Sequence, residues 1–237
     1  SWPVMYAIDE DEKHVAIGVS DSTVQLFEVA RGRRKTLALE RDHEESRLIR
    51  FDSGYIRPRG LAFDGATLNV VFARGDLVRW STSGAELSHR SGGCSARELD
   101  AYVNRYGGQP VPITDELREA CRRVDRVWFS PSGTRVATTG GFDLRVLDSR
   151  SGSSIDVYRA DGLGAESVAW EDEGALVFSN HYGRIWQWRE GHGTVSRTPP
   201  RDGSGCSSRS PRLSSDLRVV RWGGDDCPLI GWDLWSG

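Results

Sequence analysis

The residue types that most often carry catalysis or bind metals are scattered along this chain. A zinc hydrolase needs a spacing such as His-Glu-x-x-His, and many serine hydrolases need Gly-x-Ser-x-Gly. Neither pattern, and no phosphate-binding glycine loop, occurs in the 237 residues. The five histidines also lack metal-ligand spacing: His14, His43, His89, His181 and His192. The sequence therefore predicts no catalytic residue, no metal and no cofactor, and we expect any effector activity to lie outside this chain.

Two groups of carboxylates offer alternatives to that prediction. The run Asp9-Glu10-Asp11-Glu12 has the clustered oxygens that Ca²⁺ prefers. It lies at a predicted hairpin turn and lacks the glycine and distal glutamate of a known calcium loop, so we interpret it as a solvated turn. Asp64 and Glu171 each follow a predicted first strand. An acid pair formed by these two residues would indicate a hydrolase or lyase, and this alternative stays open.

Four cysteines form two local pairs, Cys94 with Cys121 and Cys206 with Cys227. An even number in local pairs fits a disulfide framework, whereas the lack of Cys-x-x-Cys argues against a structural zinc site. No secretory signal is visible, so we expect a cytoplasmic protein with reduced thiols. Two disulfides in native material would instead indicate a secreted or extracytoplasmic protein.

The elements that must position these side chains are short strands joined by tight turns, and their pattern recurs. In Arg126–Asp148, three apolar strands are separated by the turns Ser-Pro-Ser-Gly and Gly-Gly-Phe-Asp. The last apolar residues of the first strands are Ile8, Phe63, Phe129, Trp170 and Leu213. The matching residues of the third strands are Phe27, Trp80, Leu147, Trp188 and Trp232. The two series are spaced almost identically, with a basic period of about 40 residues, which is typical of propeller blades.

This pattern resembles that of the WD-repeat β-propellers. The hairpin Phe129-Ser-Pro-Ser-Gly133 is similar to the first hairpin of that family, and Trp232-Asp-Leu-Trp-Ser-Gly237 is similar to its Trp-Asp signature. The resemblance covers nearly the whole chain and implies an all-β propeller of four-stranded antiparallel blades in one domain, 1–237, with about five blades visible. The expected blades span approximately residues 3–42, 58–91, 124–160, 165–198 and 209–237, with insertions at 43–57 and 92–123.

The ring of blades is predicted to be incomplete. The first blade begins directly with its inner strand and the last ends after its third strand, so both would leave unpaired edges, which natural proteins avoid. We favour part of a six- or seven-bladed ring over a closed five-bladed one. Another segment of the same polypeptide, or a second chain in trans, would then supply the remaining strands.

The insertion between blades two and three is predicted to contain a helical hairpin. Ser95 and Glu98 form a capping box, and Thr114 caps a second helix with acidic residues in its first turn. Closure of a propeller does not require such helices. Two interpretations stay open: a docking element for a neighbouring domain, and a lid packed on its own propeller.

Two loops carry the residue types that dominate protein-binding surfaces. Arg57 and Arg59 flank a proline at the end of the first insertion, and His181, Tyr182 and Arg184 lie in the turn between the second and third strands of blade four. We predict that these residues contact a protein partner.

Composition narrows the function classes. The formal net charge of −3 argues against nucleic-acid binding. No apolar run reaches membrane-spanning length, so we expect a soluble protein without membrane association. Lys13 and Lys35 are the only lysines, an arginine bias that we take to indicate a bacterial source.

The resemblance implies a non-catalytic interaction or sensor module. Similar WD-repeat propellers are appended to bacterial signalling and defence proteins, where they act as scaffolds for an attached effector. Two alternatives stay open: a propeller hydrolase or lyase with a central acid pair, and an extracellular disulfide-bonded ligand-binding propeller.

Overall fold

The computed structural model describes most of the four N-terminal blades and the strands of a fifth. The described ranges are 5–19, 23–39, 57–91, 123–140, 143–159, 165–180, 184–197, 212–213, 219–222 and 230–233. Within these ranges the regular secondary structure is β-strand, and the only helical segment is the 3₁₀ turn Val29–Arg31. The predicted all-β class is therefore confirmed. The helical insertion and all four cysteines lie outside the described residues.

In the described part of the chain, nineteen strands form five antiparallel sheets, each a meander of consecutive strands. Blade 1 contains β1 (Met5–Ile8), β2 (His14–Gly18), β3 (Thr23–Glu28) and β4 (Arg33–Ala38). Blade 2 contains β5 (Pro58–Asp64), β6 (Thr67–Phe72), β7 (Leu77–Ser81) and β8 (Glu86–Arg90). Blade 3 contains β9 (Arg126–Phe129), β10 (Arg135–Gly140), β11 (Asp143–Asp148) and β12 (Ser154–Arg159). Blade 4 contains β13 (Ala165–Asp172), β14 (Ala175–Asn180), β15 (Ile185–Arg189) and β16 (Gly193–Ser196). The described strands of blade 5 are β17 (Arg212–Leu213), β18 (Val219–Trp222) and β19 (Ile230–Asp233).

The strand register confirms that the blades are true repeats. In every blade, the predicted first-strand residue pairs with one second-strand residue, which pairs in turn with the predicted third-strand residue. These rows are Ile8–Val15–Phe27, Phe63–Leu68–Trp80, Phe129–Val136–Leu147, Trp170–Leu176–Trp188 and Leu213–Val220–Trp232. We call each of them the anchor row of its blade. Because side chains alternate between the two faces of a strand, an anchor row lies on one face of its sheet.

The hydrophobic core lies between successive blades. One cluster joins blades 1 and 2 through residues such as Leu26 and Leu68, and a second joins blades 2 and 3 through Val71 and Val136. A third joins blades 3 and 4 and contains Trp186 and Trp188, as their two-residue spacing predicts. Blades 2 and 3 are therefore covered on both faces, each by the blade before it and the blade after it.

The first strands of successive blades lie side by side. β1 contacts β5, β5 contacts β9, β9 contacts β13 and β13 contacts β17, so the blades are arrayed around their first strands as in a propeller. Gly60 allows one of these close approaches: a Cβ atom at this position would lie 2.4 Å from Cγ1 of Val127. A larger residue here would push β5 and β9 apart.

The tight turns between first and second strands also depend on glycine. Gly133 has φ +73 in the Ser-Pro-Ser-Gly turn, a conformation that other residues rarely adopt. Its carbonyl oxygen accepts hydrogen bonds from Ser149 Oγ at 2.6 Å and from Asn69 Nδ2 at 3.2 Å. Asn69 belongs to blade 2, so this turn both reverses the chain and holds the neighbouring blade.

Candidate protein-interaction surface

The two carboxylates considered as a catalytic pair are each bound to an arginine. Asp64 accepts a bidentate pair of hydrogen bonds from Arg150 of blade 3, one from Nε at 2.8 Å and one from Nη2 at 3.0 Å. Glu171 accepts bonds from Gln187 Nε2 at 2.9 Å and lies 3.5 Å from the guanidinium of Arg189. Asp64 and Glu171 lie in blades 2 and 4, and their contacts tie neighbouring strands and blades together.

The acidic turn of blade 1 is organised by its own side chains. Asp9 accepts bonds from the backbone N–H and the imidazole Nδ1 of His14, both at 2.8 Å. Burial opposes ionisation of Asp9, but these hydrogen bonds outweigh it and lower its pKa. Lys13 donates to Asp11 at 2.7 Å. Within the described ranges, no group of three or more His, Cys, Asp or Glu side chains is placed to hold a metal ion.

Charged residues differ between the two ends of the blades. At the end where first strands turn into second strands, which we call the hairpin rim, most charges have partners. Arg135 donates to Asp148 at 2.7 Å, and Glu173 accepts from Ser132 N–H at 2.7 Å and Thr134 Oγ1 at 2.8 Å. Burial of Asp148 and Glu173 opposes their ionisation, but hydrogen bonds from the adjoining turns outweigh it and lower both pKa values. The Arg135–Asp148 pair lies within blade 3, whereas the hydrogen bonds of Glu173 join blade 4 to the turn of blade 3.

The opposite end, where first strands begin and second strands turn into third strands, is rich in arginine. We call this set of side chains the arginine rim: Arg57, Arg59, Arg74, Arg123, Arg126 and Arg184. Backbone hydrogen bonds hold part of it together, because Ala73 donates to the Arg57 carbonyl at 2.9 Å and accepts from Val124 N–H at 2.8 Å. Segments of blades 2 and 3 that carry arginines are thus fixed beside one another.

Acidic residues also lie at this end of the blades, among them Asp76, Asp125 and Glu166. Asp125 accepts a bond from Arg123 at 2.8 Å, and Asp76 lies 3.3 Å from Nε2 of His89. Arg126 donates from Nη1 to the backbone carbonyl oxygen of Glu166 in blade 4. This oxygen has no formal charge, so the contact does not neutralise the guanidinium of Arg126. The rim therefore gathers six arginines from blades 2, 3 and 4.

A β-bulge places Arg59 within this rim. Pro58 pairs with Phe72 and Gly60 with Val71, so Arg59 is the extra residue between them. Such a bulge redirects a side chain out of the regular alternation. Nε of Arg59 is buried and, in the part of the chain that the structure describes, forms no hydrogen bond. A buried donor without a partner is a position where an acceptor from a bound molecule would be stabilised.

The predicted contact residues fall into two groups. Arg57, Arg59 and Arg184 lie at the same end of the blades. Arg184 is exposed, and two hydrogen bonds join it to Asn180: Asn180 N–H donates to the Arg184 carbonyl at 3.1 Å, and Arg184 N–H donates to Asn180 Oδ1 at 3.1 Å. His181 and Tyr182 lie outside the described residues.

The sequence does not predict Arg74, Arg123 or Arg126 as contact residues. Their common signal is weak, because each lies at a strand end and only the alignment of one blade on another shows that these ends coincide. Arginines at strand ends are ordinary surface residues until the fold brings them to one rim.

Comparison of the chain with models of known protein families finds no match, and comparison with curated proteins finds no relative either. Over the described ranges, the structure contains no helix with the length and apolar character needed to cross a membrane.

Proposed function

We propose that this chain is a non-catalytic protein-interaction or sensor module of a larger bacterial signalling or defence protein. The arginine rim carries the proposal, because arginine forms directional, paired hydrogen bonds with carboxylates and is enriched at protein-binding hot spots. The resemblance to WD-repeat propellers supports the same assignment, since similar propellers present their rims to protein partners.

The chemistry of the rim favours an acidic protein surface as the partner. Carboxylate groups of such a partner would meet Arg57 and Arg59 from blade 2 and Arg126 and Arg184 from blades 3 and 4. Backbone hydrogen bonds and strand pairing already hold these residues in place, so binding requires little ordering of the main chain. Positive charge on one rim would also speed encounter with an acidic partner.

A charge-neutralising variant tests this proposal. We expect the purified chain to bind a fluorescently labelled oligo-glutamate peptide, measured by anisotropy at low and at physiological salt. Replacing Arg57, Arg59 and Arg184 together by glutamine should weaken binding about tenfold or more, because each exposed charge contact contributes roughly 0.2–1 kcal/mol. Adding Tyr182→Ser to this variant tests the predicted aromatic contact.

The hairpin rim supplies a matched control. Arg31→Gln with Arg189→Gln removes two exposed arginines, 64% and 54% accessible in their side chains, from the other end of the blades. This variant should bind the peptide like the unmodified chain. Because Arg57 and Arg59 are partly buried, a second rim variant, Arg126→Gln with Arg184→Gln, repeats the test with exposed side chains alone. Equal affinity in the rim and control variants, with thermal melts unchanged, would contradict the proposal.

A further inference from the structure

Blade 1 has an apolar face that is turned away from blade 2. Ala16 of β2 points toward blade 2, so its neighbours Val15 and Ile17 point the other way. They pair with Ile8 and Tyr6 of β1, and Val15 also pairs with Phe27 of β3. We call these five residues the open face of blade 1: Tyr6, Ile8, Val15, Ile17 and Phe27. Tyr6 is 68% exposed and Ile8 is 51% exposed, and with their neighbours they form a contiguous apolar patch rather than single exposed residues.

In the next three blades, the same positions are covered by the preceding blade. The residues equivalent to Val15 in the anchor rows are Leu68, Val136 and Leu176, and each is 0% exposed. Those equivalent to Ile17, two residues further along each second strand, are also buried: Val70, Thr138 and Phe178. Val15 and Ile17 are only partly buried. The sequence thus builds the same receiving surface in blade 1 as in blades 2, 3 and 4.

Each contact between blades follows one rule. The anchor-row face of a blade packs against the opposite face of the blade before it, as Leu68 and Trp80 of blade 2 do against Val24 and Leu26 of blade 1. Contact between two open faces, as in a symmetric dimer of this chain, would break that rule. Blade 5 already contacts blade 4 through β13 and β17, and the open face remains exposed with blade 5 in this position.

We propose that the open face of blade 1 is the docking surface for a further four-stranded antiparallel β-blade, carried by polypeptide outside these 237 residues. The docking side of that blade would resemble the side that blade 1 presents to blade 2, which consists of small and aliphatic residues: Ala16, Val24, Leu26 and Leu37. Docking of such a blade would remove the side chains of Ile8 and Tyr6 from water, which stabilises the contact. This inference stands on the register and burial of β1–β3 and does not depend on the arginine rim.

Site-specific photo-crosslinking in the cells that produce the protein tests the inference. A photoreactive phenylalanine derivative replaces Tyr6, and a second preparation carries it at Leu87, an exposed residue of the outer strand β8 (53% accessible). We expect position 6 to crosslink to a peptide from outside residues 1–237, within a stretch of four short alternating apolar and polar strands. Position 87 should not yield that peptide.

Two further measurements decide the remaining outcomes. Ile8→Asp should reduce the crosslink at position 6 about tenfold, since it places a charge in an apolar contact. If that variant folds poorly, the milder substitution Val15→Thr at a partly buried position serves as the second variant, and thermal melts verify folding. A crosslink to residues 1–237, whether within one chain or between isotopically distinguished copies, would overturn the proposal, as would the absence of any crosslink. Sedimentation of the purified chain should show monomers, and a dimer dispersed by Tyr6→Lys would equally overturn it.

Discussion

Val15 and Val136 occupy the same position of the repeat in blades 1 and 3, so one substitution made at both sites measures what a neighbouring blade contributes. Each valine lies in the middle of its anchor row, in the second strand of its blade. Val136 is 0% exposed and belongs to the cluster between blades 2 and 3, whereas Val15 is only partly buried. Replacing each by alanine therefore removes the same atoms from two different surroundings.

The expected magnitudes follow from burial. Val136→Ala removes two methyl groups, about 1.6 kcal/mol of transfer free energy at roughly 0.8 kcal/mol per buried carbon. The cavity left between the sheets adds to this, so we expect a loss of about 2–3 kcal/mol in the free energy of unfolding. Val15→Ala should cost less than about 1 kcal/mol, because water already reaches its side chain. For a chain of this size, the melting temperature should fall by about 4–10 °C for Val136→Ala and by less than about 4 °C for Val15→Ala.

Urea unfolding followed by tryptophan fluorescence gives the comparison. The midpoint should shift while its slope, which reports the surface exposed on unfolding, stays the same in both variants. Val195→Ala, at a residue 55% exposed on β16, serves as the control and should change the midpoint little. If Val15→Ala costs as much as Val136→Ala, the open face of blade 1 is already covered in solution, and the argument from equivalent positions is refuted.

Three further predictions concern the contacts that join the blades. Gly60→Ala should destabilise the protein by about 1–3 kcal/mol, because the added Cβ would lie 2.4 Å from Val127 Cγ1, and Val127→Ala should restore most of the loss in thermal melts; an unchanged melting temperature would contradict the close approach. Asp156→Ala should cost about 1–3 kcal/mol, since Trp188 Nε1 donates to Asp156 at 2.7 Å and would lose its partner inside the core, while Asp156→Asn, which keeps an acceptor, should lose less. Glu173 has a lowered pKa in the folded state, so its stabilising contribution is present above the unfolded pKa and is lost as the pH falls through the folded one. Glu173→Gln should therefore flatten the loss of stability as the pH falls below the ordinary pKa of glutamate, and parallel acid titrations of the two proteins would count against this role.

Much of the fold was predictable because strands and turns leave local signals. Apolar residues two positions apart, such as Trp186 and Trp188, share a sheet face in any strand. Gly133, which follows Pro131 in the Ser-Pro-Ser-Gly turn, takes the positive φ that this turn requires. The anchor residues were predicted from spacing alone, and the observed register places them in equivalent rows. The three-stranded antiparallel meanders follow from these signals, and the resemblance to WD-repeat propellers implies the fourth strand of each blade.

The candidate site was predictable only in part. The loops that carry them predict three contact residues: Arg57, Arg59 and Arg184. The arrangement of the blades adds three more arginines to the same surface: Arg74, Arg123 and Arg126. The bulge that redirects Arg59 depends on how Pro58 and Gly60 pair with β6, and such pairing is a property of two strands rather than of one.

Val15 and Val136 show most directly what the sequence determines and what only the tertiary structure decides. In the sequence, both are apolar residues early in a second strand. This local pattern determines that the segment is a strand, which of its residues are apolar on one face, and where it lies in the repeat. Only the tertiary structure decided that Val136 is buried and Val15 is not, because burial of a sheet face depends on a second sheet that packs against it. The sheet that covers Val136 is blade 2, which lies a whole blade away along the chain. No pattern within a single strand reports whether such a sheet is present.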